Sequence, residues 1–160
     1  IIDDTVKLRD SYCPNCRIPV LSNATMLHKE EVRAALLKID NNCQKLDTVD
    51  TDYIFRLDQP QSPLYSAEKV VEQLCLFQGK VVIQTMFLAG EYEGKDVQNT
   101  ADSFVKPWLE AVKKIKPERV MIYTIDRETP ALGLRKADKE TLDAIAAQVR
   151  LLGLDCTVSY

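Results

Sequence analysis

The sequence predicts an α/β protein built on a mostly parallel sheet. Short apolar runs alternate along the chain with amphipathic helical patterns, the signature of βα units. The runs "VVIQTMFLAG" and "VMIYTI" are near-continuously apolar, as strands covered on both faces are. The 160 residues, 46% hydrophobic and 28% charged, form a chain long enough to bury a core without cross-links.

The elements follow in order. "DDTVKLRDSY" reads as the last turns of a helix that precedes the first strand. "RIPVLSN", positions 17–23, is that strand. "EEVRAALLKI" then sets Val32, Ala35, Leu36 and Ile39 on one helical face. "NCQKLD", positions 42–47, is a short second strand, and a loop punctuated by proline follows. "SAEKVVEQLCLF" is a helix with Ser66 as its N-cap. "KVVIQTMFLAG", positions 80–90, is the longest strand candidate. "NTADSFVKPWLEAVKKI" aligns Phe104, Trp108, Leu109, Val112 and Ile115 on one side, and Pro107 inside it predicts a kink or a helix starting nearby. "RVMIYTI" is a strand. "KADKETLDAIAAQVRLLG" is a helix with Gly153 at its C-terminal cap, and "DCTVSY" closes as a strand.

Composition narrows the function classes. A formal net charge of -3, from 21 basic and 24 acidic residues, gives no reason to propose nucleic acid, although small molecule, protein and RNA are not distinguished as substrates. No signal peptide and no long apolar segment occur, so a cytoplasmic protein without membrane contact is expected. The five cysteines, odd in number and scattered, are not a disulfide framework and fit a reducing compartment. The start at Ile1 rather than Met suggests a piece of a longer protein.

In parallel α/β folds, functional groups gather where strands end. Asn23 ends the first strand, and Lys45 and Asp47 flank Leu46 on one side of the second. Gln84 stands among apolar neighbours in the third, with Met86 on its side. Asp126 and Arg127 follow "VMIYTI" directly, and Glu91 and Glu93 follow the third strand. Each has a plain alternative: a turn around Asn23, an internal Lys45–Asp47 salt bridge, a satisfied core Gln84, and a loop braced by Arg127 on Glu128 or Glu91. Cys13-Pro14-Asn15-Cys16 has the spacing of half a zinc site or a redox pair, or is an incidental loop pair; no second such motif occurs. His28 suits a capping or surface role. Cys43, Cys75 and Cys156 read as small apolar residues.

Taken together, "VLSNATML", "KLD", "VVIQTMFLAG", "NT", "VMIYTIDRETP" and the final "LDAIAAQVRLLGLDCTVS" resemble the radical S-adenosylmethionine superfamily, in its iron–sulfur oxidoreductase branch. The resemblance covers most of the chain in order. It implies a partial (β/α) barrel with a curved sheet and helices on the outer face. It also implies a [4Fe–4S] cluster held by a C-x3-C-x2-C loop after the first strand. S-adenosylmethionine bound there is cleaved to a 5'-deoxyadenosyl radical that abstracts hydrogen from a substrate. An electron donor such as flavodoxin or ferredoxin would be a partner. Asn23, Lys45, Asp47, Gln84, Asp126 and Arg127 are then candidates to bind the cofactor. The chain departs from the pattern at one place: it has no C-x3-C-x2-C and no glycine-rich strand end for the cofactor's amino group. Residues 1–160 therefore read as a single domain, the later portion of such a barrel, with the cluster ligands upstream, and as inactive alone.

Two other readings compete. One is a stand-alone α/β domain that binds a nucleoside or phosphate ligand without redox chemistry, although neither G-x-G-x-x-G nor G-x4-G-K-[ST] occurs. The other is a hydrolase or zinc protein, for which neither G-x-S-x-G nor H-E-x-x-H is present.

Overall fold

A computed structural model describes residues 1–127 and 129–160. Helix α1 (Ile2–Tyr12) precedes β1 (Pro19–Ser22), α2 (Glu30–Leu36) and β2 (Asn41–Lys45). A short α3 (Thr51–Tyr53) runs into a π-helical turn (Ile54–Asp58), followed by α4 (Ala67–Cys75). Then come β3 (Val82–Met86), β4 (Leu88–Tyr92), β5 (Lys95–Asp96), α5 (Asp102–Ile115), β6 (Arg119–Tyr123), β7 (Leu134–Lys136), α6 (Lys139–Leu151) and β8 (Cys156–Ser159).

Five strands pair in parallel in the order β1-β2-β3-β6-β8. Among the described residues β1 and β8 are unpaired on their outer sides, so the sheet is open, as expected of a partial barrel. Strand alternation assigns the two faces. Ile83 of β3 lies opposite Val120 of β6, and both join the core with residues of α2, α4, α5 and α6. On the other face Lys45 stands beside Gln84, Gln84 beside Met121, and Met86 beside Tyr123, all half-buried. The helices thus seal one face and leave the other partly open.

Trp108 fastens α5 to the sheet. Its indole Nε1 donates to the Leu46 carbonyl (3.0 Å) and to Thr85 Oγ1 (3.1 Å), and the Thr85 hydroxyl donates to the same carbonyl (2.8 Å). The ring meets Phe87 edge-on at 5.3 Å. Pro107 sits one residue earlier inside a continuous helix. The predicted caps form: Ser66 Oγ accepts from the Lys69 amide, and Gly153 takes φ +78° just past α6.

The predicted long strand over positions 80–90 is two strands. Asp47 Oδ1 accepts from the Met86 amide (2.7 Å), and Asn99 Oδ1 accepts from the Leu88 amide (2.8 Å). Side chains thus take the donors that a continuing ladder would use. β3 ends there, and β4 turns into a second, antiparallel sheet of order β5-β4-β7. Gly90 (φ +109°) and Gly133 make this sheet possible, because a Cβ on Gly90 would lie 2.1 Å from the Gly133 carbonyl oxygen.

The cysteines bring a second correction. Cys13 and Cys16 are joined by a disulfide, while Cys43, Cys75 and Cys156 are free, the first and last of these buried. A pair three residues apart in an exposed turn needs no framework to close.

Candidate functional site

At the carboxyl ends of β1 and β2 the structure opens a cleft of about 1160 Å³. Its walls are the turn after β1, residues 45–48, the π-helical turn with the loop to α4, and the first turns of α4. This wall reaches the rim because of local capping. Asp50 Oδ1 accepts from the Tyr53 amide (2.7 Å) to start α3, and Gln59, at φ +46°, ends the π-helical turn by donating its amide to the Ile54 carbonyl.

Charge is concentrated at the inner end of the cleft. Lys45 Nζ lies 3.1 Å from Asp47 Oδ2. The Asp47 side chain is 10% exposed and that of Lys45 35%, so the carboxylate forms the floor and the ammonium faces the opening. Burial pushes the Asp47 carboxyl up, partly offset by the Lys45 charge and the Met86 amide. Burial works against the Lys45 charge, but Asp47 and the neighbouring Tyr123 hydroxyl together outweigh it and hold its pKa above the usual lysine value. Asp58, on the π-helical turn, is pushed up to about 6, first by desolvation and then by the nearby Asp47 charge. Tyr53 is buried, and its phenol is also raised by desolvation, with Asp58 and Asp47 adding. A carboxyl titrating at about 6, a buried acidic side chain and a lysine therefore share one pocket, a combination of the kind found at functional sites.

No family model matches the chain. A GTPase Obg of Brachyspira hyodysenteriae is 28% identical over 114 residues, which is 69% of this chain and 16% of that protein. A UPF0026 protein of Helicobacter pylori is 27% identical over 127 residues, 77% of this chain and 38% of that protein. The chain thus spans well under half the length of the curated relatives it matches. Among solved structures, a domain of a pyruvate-formate lyase-activating enzyme from Bacteroides vulgatus superposes with a TM-score of 0.68 at 14% identity, covering 99% of this chain and 89% of that one. A radical SAM methyltransferase from Sphaerobacter thermophilus gives a TM-score of 0.59 at 13% identity, over 87% of this chain and 39% of that one. The chain shares the fold of these two enzyme domains.

Within this shared fold the six residues singled out from sequence divide into two groups. Lys45 and Asp47 form the floor of the cleft, and Gln84 stands beside Lys45 across the β2–β3 register on the open face. Asn23 lies at the mouth, but its Oδ1 accepts from the Thr25 amide (3.3 Å) and hydroxyl (2.8 Å), so it serves its own turn. Asp126 and Arg127 are exposed, past the end of β6; parallel pairing puts them at the same end of the sheet as Asp47, yet they are not among the residues lining the cleft. A pairing of Arg127 with Glu128 falls outside the described residues. Met86 packs with Tyr53, Leu88 and Val97 in a small cluster, which is a core role. His28 is exposed, with Nδ1 3.2 Å from the Thr25 carbonyl oxygen.

Sequence reasoning missed Tyr123, Asp58 and Tyr53. Alternation from Met121 would have put Tyr123 on the open face. Asp58 and Tyr53 carry no periodic signal, because a single π-helical turn in a polar loop has none.

The family that the sequence resembles holds two groups, a [4Fe–4S] cluster and S-adenosylmethionine, and the residues present suit only a ligand of the second kind. Among the described residues no three His, Cys, Asp or Glu side chains are placed to hold a metal, and Cys13–Cys16 precedes β1, at the other end of the sheet; this chain does not fit a [4Fe–4S] cluster. The cleft does suit a polar ligand carrying a carboxylate or hydroxyls, since a lysine ammonium faces it over a fixed acceptor. Among the described residues no helix is long and apolar enough to cross a membrane.

Proposed function

We propose that these 160 residues are the later part of the radical SAM domain of an iron–sulfur oxidoreductase and bind S-adenosylmethionine at the carboxyl rim of the sheet. The Lys45–Asp47 pair carries this reading, half-open at the floor of a large cleft in a fold shared with such enzymes. Lys45 offers its ammonium to the ligand's carboxylate, and Asp47 keeps that ammonium charged and aimed outward. Gln84 and Tyr123 flank Lys45 and offer further polar contacts. In the whole protein the bound cofactor supplies hydrogen abstraction, with a [4Fe–4S] cluster held by residues outside these 160. The substrate, a flavodoxin- or ferredoxin-type electron donor and a cytoplasmic location belong to the same proposal.

The similarity to a GTPase favours no nucleotide-triphosphate site here, because the chain contains no phosphate-binding glycine loop. The test uses S-adenosylhomocysteine, which needs no cluster, titrated into the chain while amide resonances are followed. Saturable shifts at residues 45–48 and 58–66 are expected, with affinity falling about tenfold, roughly 1.4 kcal/mol, in Lys45→Ala. Binding of GTP instead, or shifts confined to the amino ends of the strands, would overturn the reading.

A further inference from the structure

We propose that Cys13 and Cys16 form a reversible thiol–disulfide site that exchanges with an external thiol or dithiol and sets how tightly α1 is held to the sheet. The two residues are exposed, with Cα atoms 5.4 Å apart, in a turn closed by the Cys16 amide donating to the Cys13 carbonyl (2.8 Å). Cys43 and Cys156 are buried, and Cys75 is half-buried with its thiol 3.7 Å from the Lys114 carbonyl. The disulfide thus joins the exposed pair, while the three other thiols are buried or half-buried.

A cross-link over so short a loop restricts the unfolded chain less than a long one would, so its value as a staple is small. What it does fix is the connection between α1 and β1. Helix α1 buries no residue fully. It is held by Ile2, half-buried against the core, by the ion pairs Arg9–Asp40 (2.7 Å) and Lys38–Asp3 (2.6 Å), and by the connection that the disulfide closes. In a reducing compartment, exposed disulfides are transient or redox-sensing rather than structural.

The exchange has a direction. The Cys13 amide donates to the Arg9 carbonyl at the negative end of α1, where a thiolate is disfavoured, and Asp10 is close in sequence. Cys16 lies beyond the turn and is followed by Arg17, a setting that favours a thiolate. An incoming thiolate therefore attacks Cys13 Sγ. The Cys13–Cys16 bond breaks, a mixed disulfide forms on Cys13, and Cys16 leaves as a thiolate that takes a proton. A second thiol of the reductant then displaces Cys13. Two electrons and two protons pass to the protein, and the reductant becomes a disulfide.

The test equilibrates the folded 160-residue chain with mixtures of reduced and oxidised dithiothreitol, quenches in acid, alkylates under denaturing conditions and counts modified cysteines by mass. A single reversible step between three and five modified cysteines is expected, with unchanged far-UV circular dichroism and faster amide exchange in α1 on the reduced side. Five modified cysteines at every ratio, or reduction only together with unfolding, would overturn the proposal. So would protection of both reduced thiols by micromolar zinc, which would make the pair a metal site. The direction is read from single variants reacting with an aromatic disulfide reagent near neutral pH. Cys13→Ser, which retains Cys16, should react several-fold faster than Cys16→Ser, the three other thiols being common to both. Equal or reversed rates would refute the assigned direction.

Discussion

The two ends of the parallel sheet use ion pairs in opposite ways. At the amino ends, Lys38–Asp3 is exposed and Arg9–Asp40 partly so, and both tie α1 to the loop after α2 without closing off any cleft. At the carboxyl ends, Lys45–Asp47 sits beneath a cleft, with Asp58 and three tyrosines nearby. Exposed pairs gain little, because water screens them and long side chains must be held still. Buried charges cost desolvation that the fold must offset with partners. The amino end could lose its charges almost freely. The carboxyl end holds charges at a cost, and that cost is the physical reason to look for function there.

The largest effect should come from the residue that lets the carboxyl end form. Asn99 is fully buried; its Oδ1 accepts from the Leu88 amide, and its Nδ2 donates to the Met86 carbonyl (2.8 Å) and toward the Asp47 carbonyl (3.3 Å). Asn99→Ala leaves several buried backbone groups unpaired, each costing about 1–3 kcal/mol. A loss of about 3 kcal/mol is expected in urea unfolding. If the midpoint barely moves, the break between β3 and β4 is set by something other than this side chain.

Lys45→Met comes next. It leaves Asp47 on the floor of the cleft without its cation. Removing one partner of a fully buried pair costs about 3–5 kcal/mol, and the partly open Lys45 reduces this to about 2 kcal/mol. The sign of the pH effect is fixed. Without Lys45 the Asp47 pKa rises further, so the variant should recover stability as pH falls and the carboxyl takes a proton. A loss that is equal at pH 4 and pH 7 would mean that Asp47 is not carrying an unpaired charge.

This contrast bears on what the sequence revealed. Helices and parallel strands were legible because burial on one face writes a period into the chain, as Val70, Val71 and Leu74 in α4 and Leu142, Ile145 and Val149 in α6 do. Lys45 and Asp47 were legible because two polar residues flanking an apolar one on a strand must share a side. The break at Phe87 was not, because Asp47 and Asn99, distant in sequence, impose it on a run that carries no turn signal there. Asp58 was hidden for a similar reason: its importance comes from what α3 and the π-helical turn place it beside. The six candidates were chosen as one rim, and the structure puts Asn23, Lys45 and Asp47 in the cleft wall and Gln84 beside Lys45, while Asp126 and Arg127 stand apart from both.

Asp58 sharpens the comparison from within the cleft. Its folded pKa of about 6 lies above the ordinary 3.8, so its contribution is fully present below about pH 4 and is lost as pH rises through about 6. Because the residue is open to solvent, screening limits the effect to about 1 kcal/mol. Asp58→Asn should therefore be slightly more stable than the parent at pH 7.5 and no more stable at pH 4, by thermal unfolding at both values. A parent chain whose stability is flat from pH 4 to pH 7 would show that the Asp58 carboxyl titrates as an ordinary one.

The smallest effect belongs to the other end. Arg9→Ala removes the guanidinium from Asp40, but Asp40 Oδ2 still accepts from the Ile18 amide (2.8 Å) and stays in water. Nothing is left buried and unpaired, so the unfolding midpoint should stay within experimental error at low and high salt alike. A clear loss at low salt that vanishes at high salt would show a strong electrostatic clamp on α1. It would also remove the asymmetry between the two ends, because the carboxyl rim would no longer be the only place where this fold spends stability on charge.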